Sequence, residues 1–164
     1  MLHLSEVLKH SQVTTIVGLS NGPKYRKTRH NAGSDLIEYL RKYSKTTFPK
    51  LLAMSEHAQI NNSGYHMRNL KLRIDLSKCI IAYDDVTLDY GQYLISKPSK
   101  ARGHNGIRSI ITAYDTDDFI SLRIGIKGSF DQLCDYVLAL HQPTQLKVLY
   151  SMYDDICEVF NSHK

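Results

Sequence analysis

At 164 residues the chain has the length of one ordinary domain, and 42% apolar against 23% charged residues is enough to build a core, which excludes a disordered or fibrous protein. No run approaches the ~20 continuous apolar residues of a membrane span. Cys79, Cys134 and Cys157 form no CxxC pair and each sits in an apolar run, which argues for a reducing compartment and against a disulfide scaffold or a zinc site.

The net charge of +5 is unevenly spread: residues 1–108 hold 17 Lys and Arg against 8 Asp and Glu, and residues 109–164 hold 4 against 8. A basic body that meets a polyanion fits this asymmetry, and so do lysines and arginines that only solvate helix faces. The first twelve residues, MLHLSEVLKHSQ, are too short and too acidic for a targeting peptide. They read as an N-terminal extension (1–12) before a single α/β domain (13–164).

In chain order, Val13–Leu19 is a β-branched apolar run that ends in Ser, Asn, Gly and Pro, a buried strand and a tight loop. Leu36, Ile37, Leu40 and Tyr43 then recur at helical spacing, with Ser34 near the N-cap. Leu51–Met54 is a short strand candidate, and Met67, Leu70 and Ile74 give a weaker helical stripe. CIIAYDD (79–85) has the pattern of a buried strand with two acids at its tip. A strand at 92–96, a polar loop, a helix marked by Ile107, Ile110, Ile111 and Tyr114, and an alternating strand at 119–126 follow. A helix over 130–140 and a last helix opened by Pro143 complete the chain. Strands alternating with helices predict a twisted, mostly parallel mixed sheet with helices on both faces.

Ligands of such sheets bind beyond the carboxyl ends of the strands. Three polar segments fall there: SNGPKYRKTRHNAG (20–33), INNSG (60–64) and ARGHNG (101–106). Singly, each reads as a turn. Together with the acids that end CIIAYDD they offer imidazole, carboxylate and carboxamides to one rim: His30, Asp84, Asn21, Asn61, His104 and Asn105. The other histidines, His3, His10, His57, His66, His141 and His163, have no ligand spacing and read as surface or loop residues.

The string Tyr25, Thr28, Arg29, His30, Asn31, Gly33, preceded by IVGLSNGP and followed in order by INNSG, IIAYDDVTLDYG, RGHNGIRSI and LRIGI, resembles the bacterial-type peptidyl-tRNA hydrolases over most of 13–140. The resemblance implies metal-independent hydrolysis, without cofactor, of the ester between a peptide and the 3′ ribose of tRNA, which recycles tRNA from prematurely released peptidyl-tRNA. It implies His30 as general base, Asp84 as its orienting acid and Asn21 at the scissile carbonyl. Asn61 and Asn105 would hold peptide backbone or terminal adenosine, and Tyr25 would offer a ring to the 3′ end. Arg123 matches an arginine that relatives place on the tRNA 5′ phosphate. The companion lysines are replaced by Leu94 and Ser96, so Lys97, Lys100 and Arg102 are the substitutes. The expected partner is peptidyl-tRNA, with a monomeric chain, no membrane, and either cytosol or mitochondrion as compartment.

The chain departs from the pattern in several places. GLSNGP inverts Pro-Gly and shortens the Asn21–His30 gap by one residue. Thr87 replaces a second acid, Gln59 replaces an aromatic, the 33–61 segment is short and the last helix stops early. Two other readings compete: a noncatalytic RNA-binding protein on the same fold, as among relatives with a role in organellar splicing, and a small-molecule esterase or nucleotide hydrolase on the same rim. Retention of His30, Asp84, Asn21, Asn61 and Asn105 together favours the enzyme.

Overall fold

The apolar runs become strands β1 (Thr15–Gly18), β2 (Lys50–Ala53), β3 (Cys79–Asp85), β4 (Tyr93–Ser96) and β5 (Ile120–Gly125) of a single sheet. The computed structural model describes residues 2–47, 49–54, 59–70, 73–97 and 100–163. Strand order is β2-β1-β3-β5-β4, parallel except that β4 pairs antiparallel with β5 at one edge. The mostly parallel mixed sheet expected from the sequence is the one observed. Its central strands β1, β3 and β5 are buried along their whole length, as parallel strands covered on both faces must be.

Among the described residues six α-helices cover it: α1 (Leu4–His10), α2 (Ala32–Tyr43), α3 (Ser63–Asn69), α4 (Asn105–Tyr114), α5 (Leu133–Leu138) and α6 (Pro143–Asn161). Two apolar cores result, one per face. Ile80, Ala82 and Leu122 pack with Leu36 and Ile37 of α2 and Tyr153 and Phe160 of α6. Val17, Ile81 and Tyr83 pack with Met67 of α3 and Ile107 and Ile110 of α4. Each buried Leu or Ile contributes about 1.5–3 kcal/mol, so the two layers rather than helix propensity hold the sheet. The alternation at 119–126 therefore does not separate core from solvent: Ile120, Leu122 and Ile124 face one core, and Phe119 the other.

Several boundaries differ from expectation. Within the N-terminal extension, Leu4 and Val7 of α1 pack into the first core. The N-cap of α2 is Asn31, not Ser34, because a 3-10 turn over Arg29–Asn31 runs straight into the helix. Ser34 sits in the first turn, where its N–H donates to the Leu19 carbonyl at 3.0 Å and its hydroxyl to the Asn31 carbonyl at 3.1 Å. Of the stripe Met67, Leu70 and Ile74, only Met67 lies in α3, and Lys71 and Leu72 are outside the described residues. The helix expected over 130–140 is confined to Leu133–Leu138.

The first turn of α2 touches the sheet backbone to backbone. A Cβ on Gly33 would lie 2.1 Å from the Ala82 carbonyl oxygen, and one on Gly18 2.3 Å from that of Gly33. Only glycine permits this approach, which sets the turn carrying His30 over the tip of β3. The chain leaves β1 toward β2 on one side while β3 lies on the other, so their carboxyl ends open the crevice where such sheets take ligands.

Candidate active site

Side chains alternate along β3, so Asp84 shares the face of Ala82 and α2 while Tyr83 and Asp85 share the face of α4. Asp84 is 4% exposed. Its Oδ1 meets His30 Nδ1 at 2.8 Å and His104 Nε2 at 3.1 Å. An ionised carboxylate only accepts, so both of these ring nitrogens carry protons. His104 also caps α4, its Nδ1 accepting the Ile107 N–H at 3.3 Å, so its ring is the neutral Nε2–H tautomer. His30 donates from Nδ1 and keeps the Nε2 lone pair for another partner.

Burial pushes the Asp84 carboxyl up, but the imidazoles of His30 and His104, each offering it an N–H, outweigh it and hold the group well below the usual carboxylate range. Burial lowers the His30 pKa, and the charge and hydrogen bond of Asp84 more than reverse this, leaving it above the ordinary imidazole value. The pair is a base in search of a proton, oriented by an anion.

Asn21 follows β1, and its Oδ1 accepts the Ile60 N–H at 3.0 Å. The free end of this amide is therefore its NH2, a donor. Asn31 fixes the same loop, accepting the Asn21 N–H on Oδ1 at 2.9 Å. Asn61 and Asn105 come together on one groove, with side chains exposed and without internal partners among the described residues. Tyr25 is half-buried in the 3-10 turn Pro23–Tyr25 and is not among the residues lining either cavity described below.

The cations are arranged differently from expectation. Arg123 lines the cleft but is paired within the chain. It is 7% exposed and points Nε and Nη2 at Asp85 Oδ2, at 2.6 and 2.5 Å. The β3–β5 register pairs Tyr83 with Arg123, so residues 85 and 123 share a face one step apart and neutralise each other. Lys97 forms a surface ion pair with Asp118 at 2.9 Å. Lys100 and Arg102 are exposed, and Arg102 lines the cleft beside the dyad.

Behind His30 lies a polar cluster that sequence reasoning missed. Arg29, 6% exposed, donates to Tyr90 Oη at 3.1 Å, the Tyr136 carbonyl at 3.1 Å and Gln145 Oε1 at 3.0 Å, with its guanidinium 4.3 Å from the Tyr136 ring centroid. No carboxylate partners it among the described residues. His141 is buried rather than a surface histidine, bonded to Tyr90 Oη at 3.0 Å, and burial together with the Arg29 charge pushes its pKa down to about 4. The remaining histidines His3, His10, His66 and His163 are exposed or half-exposed, and His57 lies outside the described residues.

Two cavities flank the dyad. One, of about 250 Å³, is bounded by His30, Asp84, Arg102 and His104 and walled by Tyr83, Val86, Leu133 and Val137. The other, of about 440 Å³, is an open groove between α3 and α4. Asn105 lines both. The ligand atoms of His30, Asp84 and His104 lie within 4.8 Å of one another, as a metal site would need. The bond from Ile107 to His104 Nδ1 makes Nε2 a donor, however, which suits the carboxylate it faces and not a cation. The cysteines are free, and burial pushes the Cys79 thiol up to about 12.

A histidine base held by a buried carboxylate, beside an amide donor on the rim of an α/β sheet, is the equipment of a hydrolase. The sequence profile of the peptidyl-tRNA hydrolase family matches residues 15–163. The peptidyl-tRNA hydrolase of Mycoplasma capricolum subsp. capricolum is 33% identical over 89% of this chain and 90% of its own length. That of Clostridium botulinum is 34% identical over 82% and 80%. Among solved structures, the peptidyl-tRNA hydrolase of Acinetobacter baumannii superposes with a TM-score of 0.75 at 25% identity, over 93% of this chain and 90% of that one. A [NiFe] hydrogenase maturation protease from Thermococcus kodakarensis shares the fold alone, at 15% identity and a TM-score of 0.53. The chain belongs to the peptidyl-tRNA hydrolase family. No helix among its described residues is long and apolar enough to cross a membrane.

Proposed function

We propose that the chain hydrolyses the ester linking a peptide to the 3′ ribose of tRNA, with His30 as the base. The observation that carries this reading is the 2.8 Å bond from His30 to the buried Asp84, which leaves the other ring nitrogen as a proton acceptor. Water donates a proton to His30 Nε2 as its oxygen attacks the ester carbonyl. Asp84 steadies the imidazolium, and the Asn21 NH2 group is the donor for the oxyanion. Collapse breaks the acyl–oxygen bond, and the proton held by His30 passes to the ribose 3′ oxygen, so the products are tRNA with a free 3′ hydroxyl and a peptide carboxylic acid, which releases its proton to solvent. An ester is reactive enough for one base and one donor, so neither a covalent intermediate nor a cofactor is required.

The cavity beside the dyad, walled on one part by Tyr83, Val86, Leu133 and Val137, suits the peptide, whose sequence varies. Arg102 and Lys100 are the exposed cations for tRNA phosphate, and this charge without base readout suits an enzyme that must accept many tRNAs. The test compares N-blocked and unblocked aminoacyl-tRNA as substrates for wild type and His30→Ala. Release from the blocked form by wild type, cut at least ~100-fold in the variant with tRNA affinity retained, supports the reading. Equal turnover by the variant sinks it.

A further inference from the structure

We infer that the loop between Asn21 and His30 holds the single-stranded 3′ end of the tRNA by its phosphodiester backbone, through Lys24 and Arg26. This role rests on the proposed ester hydrolysis and adds a second cationic anchor to it. Lys24 and Arg26 precede α2, whereas Lys100 and Arg102 precede α4, and these two helices cover opposite faces of the sheet.

Between Ser20 and Ser34 the chain carries four cations, Lys24, Arg26, Lys27 and Arg29, and no carboxylate. The fold sorts them. Arg29 turns inward to Tyr90, Tyr136 and Gln145. Lys27, at φ 64°, is held against α2 and α6: burial lowers its pKa, and Asp35, Glu38 and a hydrogen bond to Tyr150 more than reverse this. Lys24 and Arg26 are exposed and make no hydrogen bond or ion pair among the described residues. The Arg26 charge reaches Asp35 without bonding it. Lys24 lies 5.5 Å from the Tyr25 ring centroid, a contact that leaves its charge unneutralised.

The loop that presents these two cations is fixed before any ligand arrives. Gly22 turns the chain at φ 81°, and its N–H donates to Ser20 Oγ at 3.1 Å. The Tyr25 carbonyl accepts the Thr28 N–H at 3.2 Å and the Thr28 hydroxyl at 2.7 Å. Thr28 is itself buried and bridges to Leu140. Lys24 is three positions from Asn21 and Arg26 four from His30. At ~3.3–3.6 Å per residue, each Cα therefore lies within about 14 Å of a residue of the proposed reaction. A phosphate held there is a short single strand away from an ester at the dyad.

Two exposed cations with no carboxylate beside them bind a chain of anions and read no base. Tyr25, half-buried between them, adds an aromatic surface of the kind single strands use. A peptide offers such negative charge only where its sequence is acidic, whereas every tRNA offers it.

The test measures the binding of deacylated tRNA against salt for wild type, the double variant Lys24→Gln/Arg26→Gln, and Lys27→Gln. A second tRNA, whose last unpaired nucleotides are joined by uncharged methylphosphonate linkages, is measured beside the first. The double variant is expected to bind intact tRNA about 10-fold more weakly and to lose about 1.4 from the salt slope, ~0.7 for each phosphate. Lys27→Gln is expected to keep the slope. The methylphosphonate tRNA should bind wild type and the double variant alike, because both changes remove one contact. Additive losses would place Lys24 and Arg26 on another part of the tRNA and overturn the inference. An unmoved slope in the double variant, or an equal flattening by Lys27→Gln, would do the same. In turnover of N-blocked peptidyl-tRNA the KM of the double variant should rise for neutral and acidic peptides alike, and a rise confined to acidic ones would give the loop to the peptide instead. The expected slopes in a protein that hydrolyses no ester would reject the hydrolase and keep the loop. Ester hydrolysis with an unmoved slope would reject the loop and keep the hydrolase.

Discussion

His104 gives its Nε2 proton to the same Asp84 oxygen that receives the Nδ1 proton of His30, and the two rings lie with centroids 5.2 Å apart. One buried carboxylate is thus solvated by two imidazoles, of which only His30 keeps a nitrogen for chemistry. His104→Ala is expected to lower kcat ~10-fold or more with little change in KM, since a hydrogen bond to a charged group is worth ~1.5–3 kcal/mol. The urea midpoint should fall as well, because Asp84 loses a donor without gaining water. Unchanged kcat would reduce His104 to a helix cap.

The same pair sets the pH dependence. As the proposed base His30 must be neutral, and its pKa lies above the ordinary imidazole value, so kcat/KM should fall toward acid with a midpoint above ~6.5. In Asp84→Asn the midpoint should move down, with turnover reduced at least ~100-fold. Stability follows a different course. The raised His30 pKa contributes below the unfolded imidazole value and is lost as pH rises through the folded one, and the lowered Asp84 pKa contributes above the unfolded carboxyl value and is lost in acid. The stability gap between wild type and Asp84→Asn should therefore be widest between about pH 4 and 6.5, in urea titrations across that range.

Arg29 joins the turn that carries His30 to the segment returning from α5 to α6. Its backbone N–H meets the Ala139 carbonyl at 3.1 Å, and its guanidinium reaches Tyr136 and Gln145. Arg29→Met would remove two bonds to a charged group, worth ~1.5–3 kcal/mol each, while the Tyr136 carbonyl keeps the Ala139 N–H and Gln145 Oε1 keeps the Gln142 N–H. Faster amide exchange across 133–145, with a loss of kcat, is the expected result. Exchange confined to global unfolding would mean that the segment holds without it.

Salt dependence separates the cations. Each tRNA phosphate neutralised contributes roughly 0.7–0.9 to the slope of log K against log salt. Lys100→Ala and Arg102→Ala should each flatten that slope, whereas Arg123→Ala should leave it and instead cost ~3–5 kcal/mol of stability by stranding Asp85. A flattened slope in the Arg123 variant would return that arginine to the phosphate.

The dyad was legible before any coordinates because each partner ends or follows an apolar run: Asp84 closes CIIAYDD and His30 sits where a strand hands over to a helix. What escaped depends on distant segments returning. Arg29 reads as one more basic residue beside His30, and only the fold of 136–145 buries it. Arg123 reads as a cation free for phosphate until the β3–β5 register sets it beside Asp85. His104 could be placed near the rim, but its partner is decided by how the first turn of α4 meets the end of β3.

The backbone contact of Gly18 and Gly33 with their neighbours separates the location of the reaction from the identity of the core. No bulky side chain intervenes between the nucleating turn and the strands, so apolar replacements in either layer can accumulate without displacing the imidazole. Over evolutionary time the hydrocarbon interior is free to drift while the reacting atoms stay in place, and these two positions are where that freedom ends.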